Sequence, residues 1–441
     1  MKQNVTIIGA GLAGAEAAWQ LLRLGINVTL IDMKPKAKTP AHHGDGFAEL
    51  VCTNSLRSNR LENASGLLKE EMRRLDSLIL RAAEATKTPA GGALAVDRDA
   101  FSKYITDFLM TQEGFTFKSE TVSKLPDESE GIVILATGPL TQGGLFEDIR
   151  AHLGMDELHF FDAAAPIVEY DSINMDIAFK QSRYDKGGAD YINCPMNEEE
   201  YERFYNALIE AELAPVEQFE KEIVFEGCMP IETMAKRGPE TMRFGPLKPK
   251  GLRDPRTGTR PHAVVQLRQD NRSASMFNIV GFQTRLKWGE QKRIIQMIPG
   301  LEEAEFYRYG VMHRNTFLRS PGLIEPTYRL IKHPHIFIAG QISGVEGYVP
   351  SASSGLIAGR NAARLAKGEA ADFILSDKTM MGSLAHYVSD PTIEDFQPMN
   401  ANFGIIRPLP EGELQVRGKR GKALKIEKYV ERSLAEIELH R

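Results

Sequence analysis

Three cysteines are the side chains of this 441-residue sequence that could act as sulfur nucleophiles. Cys52, Cys194 and Cys228 are odd in number, lie far apart, and are joined by no C-x-x-C spacing. The sequence therefore indicates neither a disulfide framework nor a zinc site, and no other metal-ligand spacing is present. A cysteine outside such sites is either a buried apolar group or a reactive thiolate. We predict that Cys194, in the string Asn-Cys-Pro-Met, is buried.

Cys52 has a sequence context that would favour a thiolate. The residues at 53–55 are Thr-Asn-Ser, which are typical of a helix N-terminus. Arg57 and Arg60 follow closely. A helix N-terminus and nearby cations both stabilise negative charge on sulfur. We therefore expect a helix to begin just after Cys52.

A second set of residues has the types and spacing that bind a dinucleotide. An apolar run at 5–8 leads into Gly-x-Gly-x-x-Gly at 9–14, a helix-forming segment at 15–24, and an apolar strand at 27–31 that ends in Asp32. This order is a βαβ unit whose helix N-terminus faces a pyrophosphate and whose acidic residue accepts hydrogen bonds from ribose hydroxyls. The predicted pyrophosphate-binding residues are Gly9, Ala10, Gly11, Leu12, Ala13 and Gly14.

Two later stretches are typical of strands that lie beside the first one. Residues 131–138 are an apolar run that ends in an Ala-Thr-Gly turn, and residues 335–341 are a second buried run followed by a small-residue helix at 353–361. Since the chain has a single Gly-x-Gly-x-x-Gly motif, at its N-terminal end, this combination favours FAD over a nicotinamide. NAD(P)H would then bind transiently, without a Rossmann domain of its own. The predicted flavin-binding residues in these stretches are Gly138, Gly340, Gln341 and Gly355.

The character of the sequence changes in the middle of the chain. Between residues 161 and 313, short strand-like segments alternate with an acidic helical run and basic loops. We predict an inserted α+β domain at 161–313, in a discontinuous FAD-binding domain formed by residues 1–160 and 314–441. The expected fold class is α/β, with a Rossmann-like FAD-binding domain of the glutathione-reductase-like superfamily.

Charge is distributed unevenly although the net charge is only −5. Residues 197–226 contain ten acidic and two basic side chains, whereas residues 236–293 contain fourteen basic and four acidic ones. A Pro- and Gly-rich basic loop at 243–261 suits a polyanion such as nucleic acid, although a solvated face neutralised by its acidic neighbour is the simpler explanation. With no apolar run of membrane-spanning length, we expect a cytoplasmic protein without a membrane partner.

Taken together, these stretches resemble the folate- and FAD-dependent tRNA (uracil-5-)-methyltransferases, the TrmFO family. The likeness extends over nearly the whole chain. Related wobble-uridine-modifying flavoproteins share the N-terminal motif but are longer. One departure is Asp32, where the family is expected to have Glu. The strings that carry the resemblance are residues 9–14, 47–59, 89–97, 225–232 and 340–348.

The resemblance implies that the one-carbon unit of methylenetetrahydrofolate, with electrons from FAD replenished by NAD(P)H, forms ribothymidine at a T-loop uridine in the tRNA elbow. Uracil C5 becomes nucleophilic when a thiolate adds to C6, and the target base must be extruded to be reached. By position in the family strings, Cys228 is the expected nucleophile and Cys52 its partner, although their roles could be exchanged. The candidates for folate contacts are Arg285, Lys287, Trp288, Glu346 and Tyr348, of which Trp288 could equally be a packing residue.

Two alternative functions remain open at this stage. The chain could be a flavin oxidoreductase acting on a small molecule, which would turn over without folate or RNA. It could instead be a flavin-bearing RNA-binding protein, which would tolerate the loss of both Cys52 and Cys228. No metal and no protein partner are predicted.

Overall fold

The computed structural model describes residues 3–39, 41–141, 143–153, 158–185, 188–214, 229–310, 312–410 and 418–441. The helices, numbered in chain order, are α1 (Leu12–Arg23), α2 (Ala64–Arg74), α3 (Leu78–Ala85), α4 (Arg98–Met110), α5 (Gly144–Leu153), α6 (Glu198–Glu210), α7 (Ile231–Ala235), α8 (Pro239–Phe244), α9 (Trp288–Ile295), α10 (Tyr348–Ala366), α11 (Met380–Ser389) and α12 (Gly418–Glu438).

The strands are numbered in the same way. They are β1 (Asn4–Ile8), β2 (Asn27–Asp32), β3 (Ser55–Ser58), β4 (Lys87–Thr88), β5 (Ala93–Val96), β6 (Phe115–Ser119), β7 (Ile132–Leu135), β8 (Leu158–Ala163), β9 (Ile167–Glu169), β10 (Phe179–Lys180), β11 (Tyr191–Met196), β12 (Ala263–Gln269), β13 (Met276–Ile279), β14 (Phe306–Arg308), β15 (Met312–Phe317) and β16 (Ile336–Ile338).

A five-stranded parallel sheet has the strand order β16-β7-β1-β2-β6. Its central strands are almost wholly apolar because helices cover the sheet and bury both faces. In register, Ile8 lies opposite Ile31 on one side and Leu135 on the other. The carboxyl ends of β1, β7 and β16 therefore lie at one edge of the sheet, where ligands bind in folds of this kind. The predicted parallel α/β sheet is confirmed.

Small residues let helices α1 and α10 pack unusually close to each other and to the sheet. A Cβ atom on Gly14 would lie 1.9 Å from the carbonyl oxygen of Gly9, and one on Gly355 would lie 2.2 Å from that of Ala13. Both distances are far below van der Waals contact, so each position requires glycine. These contacts bring the N-terminal ends of both helices to the edge of the parallel sheet.

A second sheet of six strands, in the order β10-β11-β12-β13-β9-β14, has its own hydrophobic core. Its core residues lie between Ala165 and Ala304, whereas the core around the parallel sheet draws on residues before and after this segment. Strands β8 and β15, which enter and leave this segment, pair with each other. These observations support our proposal that residues 161–313 form an inserted domain.

The expected helix after Cys52 is not present, and that prediction was wrong. Ser55–Ser58 instead forms strand β3, which pairs with β5 in a three-stranded sheet. Arg57 has a positive φ of 64°, which is incompatible with a right-handed helix.

Within the residues described, no helix has both the length and the apolar character needed to cross a membrane.

Candidate active site

A cavity of about 140 Å³ lies at the carboxyl edge of the parallel sheet. It opens between the turn after β1, the turn after β7 and the residues that follow β16. The other predicted cofactor residues, Ala10, Gly14 and Gly355, belong to the packing behind it. The predicted residues that line this small cavity are Gly9, Gly11, Leu12, Ala13, Asp32, Gly138, Gly340 and Gln341.

The small cavity fits a dinucleotide pyrophosphate. A Cβ atom on Gly11 would meet no atom within 4 Å, so the backbone there faces open space. Helix α1 begins directly after Gly11, and no side chain caps its N-terminus. The amide groups of its first turn are thus available to an anion, which the helix dipole also favours. Gly9, with a φ of 106°, makes the tight turn that leads into this helix.

Asp32 is held by the backbone in a position suited to a ribose. Its Oδ2 accepts a hydrogen bond from the amide of Ala10 at 2.7 Å, and its Oδ1 accepts one from the amide of Lys34 at 2.9 Å. Each carboxylate oxygen has a second lone pair that could accept a hydroxyl donor. Lys34 and His42 also line the cavity, and burial lowers the pKa of both.

A larger cavity of about 310 Å³ adjoins the first and shares lining residues with it. Cys52 lies in its wall, together with Glu346 and Tyr348, two of the residues predicted from the sequence to contact a substrate. The structure therefore places one of the two candidate cysteines beside the dinucleotide cradle. The residues common to both cavities are Val51, Pro139, Leu140, Gln341 and Tyr348.

Tyr348 fixes the backbone of the Cys52 loop. Its hydroxyl oxygen accepts hydrogen bonds from the amide of Cys52 at 2.8 Å and from the amide of Thr53 at 3.2 Å. Burial raises the pKa of Tyr348, so its hydroxyl is neutral at physiological pH. Because two amide donors occupy its oxygen, its own hydrogen is free to point to a third group.

Three arginines converge on the same loop. Arg98 and Arg308 each donate to the carbonyl oxygen of Cys52 at 3.3 Å, and Arg268 donates to Oγ1 of Thr53 at 2.6 Å. Asp270 pairs with Arg98 at 3.0 Å and offsets part of this charge. Burial lowers the pKa of Arg268 and Arg308, yet a guanidinium stays protonated in proteins. The positive potential favours an anion at the loop.

These arginines differ from the ones that the sequence suggested. Arg57 does line the large cavity, but Arg60 lies beside Gly92, outside both cavities. The potential around Cys52 thus comes from residues distant in sequence rather than from a following helix.

Lys69 supports one wall of the large cavity from behind. Its buried amine donates to the carbonyl oxygens of Leu56 and Ser65, both of which line that cavity, at 2.8 Å each. Burial, together with the positive charges of Arg73 and Arg57, lowers the pKa of Lys69 to about 7. The amine is therefore largely neutral in the folded protein above pH 7.

This lowered pKa predicts that stability rises with pH. Between pH 7 and pH 9 the unfolded chain binds a proton at Lys69 that the folded chain does not, so the free energy of unfolding increases by about 1.4 kcal/mol per pH unit from this group. In Lys69→Met this increment disappears, which urea unfolding at the two pH values measures. Lys103→Met, at an exposed lysine, should retain it. Parallel curves for wild type and Lys69→Met would contradict the assignment.

The remaining predicted residues lie elsewhere. Lys287 pairs with Glu212 at 2.5 Å, and Trp288 is 63% exposed and stacks on Tyr309. Neither they nor Arg285 line the two cavities, so the geometry gives their predicted folate contacts no support.

The three cysteines lie in different surroundings or outside the part of the chain that the structure describes. Cys194 is fully buried, as predicted, and burial raises the pKa of its thiol. Cys228 lies outside the described residues.

Among the residues described, no group of three or more His, Cys, Asp or Glu side chains could hold a metal ion.

Most of this chain is similar in sequence to known proteins. Residues 4–370 match the family model of Glucose inhibited division protein A, GIDA. The methylenetetrahydrofolate–tRNA-(uracil-5-)-methyltransferase TrmFO of Acetivibrio thermocellus is 59% identical over 426 residues, which are 95% of each chain. This chain belongs to the TrmFO family. The TrmFO of Lactobacillus acidophilus is 58% identical over 438 residues, 99% of this chain and 98% of its relative.

Solved structures confirm the fold class of this TrmFO family member. Aquifex aeolicus GidA superimposes with a TM-score of 0.70 at 16% identity, and the match covers 99% of this chain and 73% of that one. The family resemblance inferred from residues 9–14 and the later strings is confirmed by the family model and the TrmFO relatives. The sequence patterns did not identify Arg98, which binds the Cys52 loop, or Arg268 and Asn278, which line the large cavity.

Proposed function

We propose that this chain transfers the one-carbon unit of methylenetetrahydrofolate to C5 of a T-loop uridine in tRNA, with FAD as cofactor and NAD(P)H as reductant. The observation that carries this proposal is 56–59% identity, over 95–100% of the chain, to relatives named methylenetetrahydrofolate–tRNA-(uracil-5-)-methyltransferase. At this identity and coverage, both the nucleotide cradle and the Cys52 cavity lie within the matched region.

The residues around the two cavities are suited to FAD. Gly9, Gly11 and the first turn of α1 would hold the pyrophosphate, and Asp32 would hold the ribose. Helix α10 begins at Tyr348 with an N-terminus that no side chain caps, and its first residues line the large cavity. A flavin held by these residues would supply hydride chemistry, and the uncapped N-terminus of α10 would favour negative charge near it.

The proposed chemistry needs one thiolate and one base. A thiolate, which we assign to Cys228, adds to uracil C6, and C5 then forms a bond to the methylene carbon as one of the two bonds from that carbon to folate nitrogens breaks. The C5 proton passes to a base, the thiolate leaves from C6, and a hydride derived from NAD(P)H converts the methylene to methyl as tetrahydrofolate departs. We assign the base or stabilising role to Cys52, although the two roles could be exchanged.

Glu232 supports the segment that follows Cys228 in the chain. Its Oε1 accepts from the amide of Arg285 at 2.8 Å, and its Oε2 accepts from the hydroxyl of Thr284 at 2.9 Å. The amide of Ile231 donates to the carbonyl oxygen of Gln283 at 2.7 Å, and Gln283 lines the large cavity. These bonds tie residues 229–232 to the cavity wall and so support a role for the preceding cysteine.

A smaller basic surface than the sequence suggested is available to RNA. Several cations of residues 236–293 are already paired, such as Arg243 with Glu240 and Arg293 with Glu290. The 250–260 loop still presents exposed cations, and Phe244 beside it is 79% exposed. Exposed cations next to an aromatic ring suit phosphates and unstacked bases. The exposed cations of this loop are Lys250, Arg253, Arg256 and Arg260.

This surface predicts a steep dependence of tRNA affinity on salt. Replacement of Lys250, Arg253 and Arg260 by alanine should weaken binding and reduce the slope of log K against log salt by about 0.7–0.9 per lost phosphate contact. A filter-binding titration at several salt concentrations measures both. The matched control removes three exposed lysines outside the inserted segment, Lys103, Lys332 and Lys367, and should leave the slope unchanged. A wild-type affinity that does not depend on salt would exclude this surface.

The test of the overall reaction uses the purified FAD-loaded protein. Unmodified tRNA, methylenetetrahydrofolate and NADPH are incubated together, and the tRNA is digested and analysed for ribothymidine. The proposal requires product only when all three are present. Oxidation of NADPH at full rate without folate and RNA, and with no ribothymidine, would instead identify a small-molecule oxidoreductase.

A further inference from the structure

Asn278 is a buried residue in the wall of the large cavity, and its amide donor has no hydrogen-bond partner among the residues described. It lies on β13, is 2% exposed, and lines the cavity together with Arg268 of the neighbouring strand. Its Nδ2 is buried and forms no hydrogen bond with any described residue. An unsatisfied buried donor destabilises the folded protein, so a bound group that accepts from it would be stabilised in the cavity.

The orientation of this amide is fixed by its neighbour. Arg268 lies directly opposite Asn278 in the β12–β13 pair, and its guanidinium donates to Oδ1 of Asn278 at 3.5 Å. A guanidinium has no acceptor, so the atom that faces it must be the oxygen. Arg268 is itself held by Oδ1 of Asn54 at 3.1 Å and by Thr53. Nδ2 is therefore the atom that remains for a ligand.

A second amide in the same cavity has the same property. Both side-chain atoms of Asn400 are buried and have no hydrogen-bond partner among the described residues, and Asn400 lines the large cavity. A carboxamide with a free donor and a free acceptor is complementary to a lactam, in which an N–H is adjacent to a carbonyl. Neither Asn278 nor Asn400 lines the small cavity.

We propose that Asn278 is a specificity-determining residue that donates a hydrogen bond to a ring carbonyl of the planar lactam substrate in the large cavity. This inference rests on the proposed function, in which two substrates carry such a carbonyl: the uracil base and the pterin of folate. Asn278 lies on β13 of the six-stranded sheet, whereas the residues assigned to the flavin belong to α10 and the turn after β7. We assign the donor to a substrate rather than to the cofactor, and the FAD content of the variants tests that assignment.

The test exchanges the donor for an acceptor in the FAD-loaded protein. Asn278→Asp has the same shape and can still accept from Arg268, but it presents a carboxylate to the ligand carbonyl. We expect a loss of at least about tenfold in affinity for the substrate that it contacts, with FAD content unchanged. Asn278→Ala, which removes the donor without adding charge, should lose affinity in the same direction. The control Asn174→Asp places the same charge at an exposed asparagine and should behave as wild type.

Two measurements identify the substrate. The dissociation constant of tetrahydrofolate is read from the change in flavin absorbance without RNA, and the KM for tRNA is read from ribothymidine formation at saturating folate. A weaker folate constant assigns the contact to the pterin, and a raised KM for tRNA alone assigns it to uracil. Values within twofold of wild type for both variants, or a parallel loss of FAD, would overturn the inference. If wild type forms no ribothymidine, the proposed function fails, while the folate titration still tests the donor.

Discussion

Cys228→Ala and Cys52→Ala should each reduce ribothymidine formation by at least about a thousandfold, the scale expected when a covalent nucleophile or its partner base is removed. The reason is that uracil C5 has no nucleophilic character until sulfur adds to C6. Ribothymidine in digested tRNA is measured by chromatography at fixed enzyme, folate and NADPH concentrations. FAD content should stay the same in Cys52→Ala, because Cys52 does not line the small cavity.

An RNA with 5-fluorouridine at the target position separates the roles of the two cysteines. Fluorine cannot leave C5 as a cation, so the adduct between enzyme and RNA persists once sulfur has added to C6. The variant that lacks the nucleophile forms no adduct, and the variant that lacks the base still does. If Cys228→Ala forms the adduct and Cys52→Ala does not, the assignments made here are reversed.

The matched control for both variants is Cys194→Ala. This third thiol is fully buried in the core of the six-stranded sheet. Its removal should cost stability by leaving a small cavity, while the rate of ribothymidine formation stays near that of wild type. Full activity in all three alanine variants would leave a flavin-bearing RNA-binding protein or a different chemistry as the explanation.

Gly11→Glu should give a folded protein that no longer retains FAD. Gly11 has an ordinary φ of −73°, so a side chain is tolerated by the backbone, but its Cβ would point into the open space of the cradle. A carboxylate there would fill the pyrophosphate position and repel its charge. An unscreened like-charge contact at about 4 Å is worth up to about 4 kcal/mol near a protein surface, so we expect at least about a hundredfold weaker binding of FAD.

Absorbance of the purified protein at the flavin band, followed by titration of the apoprotein with FAD, measures this effect. Gly289→Glu makes the same substitution at a position where a Cβ also meets open space, in the first turn of α9. That control should remain yellow. Circular dichroism shows whether the two variants are equally folded, and a yellow Gly11→Glu would mean that the cradle holds something other than a dinucleotide.

Much of the parallel sheet and its first helix could be predicted from the local sequence. The strand, glycine motif and helix at residues 4–23 follow from short-range preferences, and the structure has them where expected. The strands at 132–135 and 336–338 are equally continuous apolar runs. Residues that must be glycine for steric reasons, such as Gly14, are recognisable because their spacing is fixed by the βα turn.

The surroundings of Cys52 could not be read in the same way. Its arginine neighbours Arg98, Arg268 and Arg308 lie between 46 and 256 residues away from Cys52 along the chain, so only the tertiary fold brings them together. Thr-Asn-Ser after Cys52 resembled a helix cap, but Asn54 and Thr53 instead bind Arg268. A tertiary partner thus replaced the local one.

One signal in the sequence was available for part of this site. Gln266 and Arg268 alternate with apolar residues in β12, a pattern that normally indicates a solvent-facing side of a strand. Both are buried, at 6% and 7% exposure. Their burial is compensated by hydrogen bonds to other side chains, since Gln266 donates to Asn193 and Arg268 donates to Asn54. Polar alternation in a segment too apolar for the surface can therefore indicate an internal site.

The grip of Arg268 and Arg308 on residues 52–53 has a mechanical consequence. The two guanidinium groups belong to the six-stranded sheet, while the loop that they hold is anchored to the other core through Tyr348. The Cys52 loop is therefore hydrogen-bonded to residues of both hydrophobic cores. A movement that separated the two cores by a few ångströms would break these hydrogen bonds. A spin label or fluorophore at the boundary between the cores would therefore report such a movement during turnover.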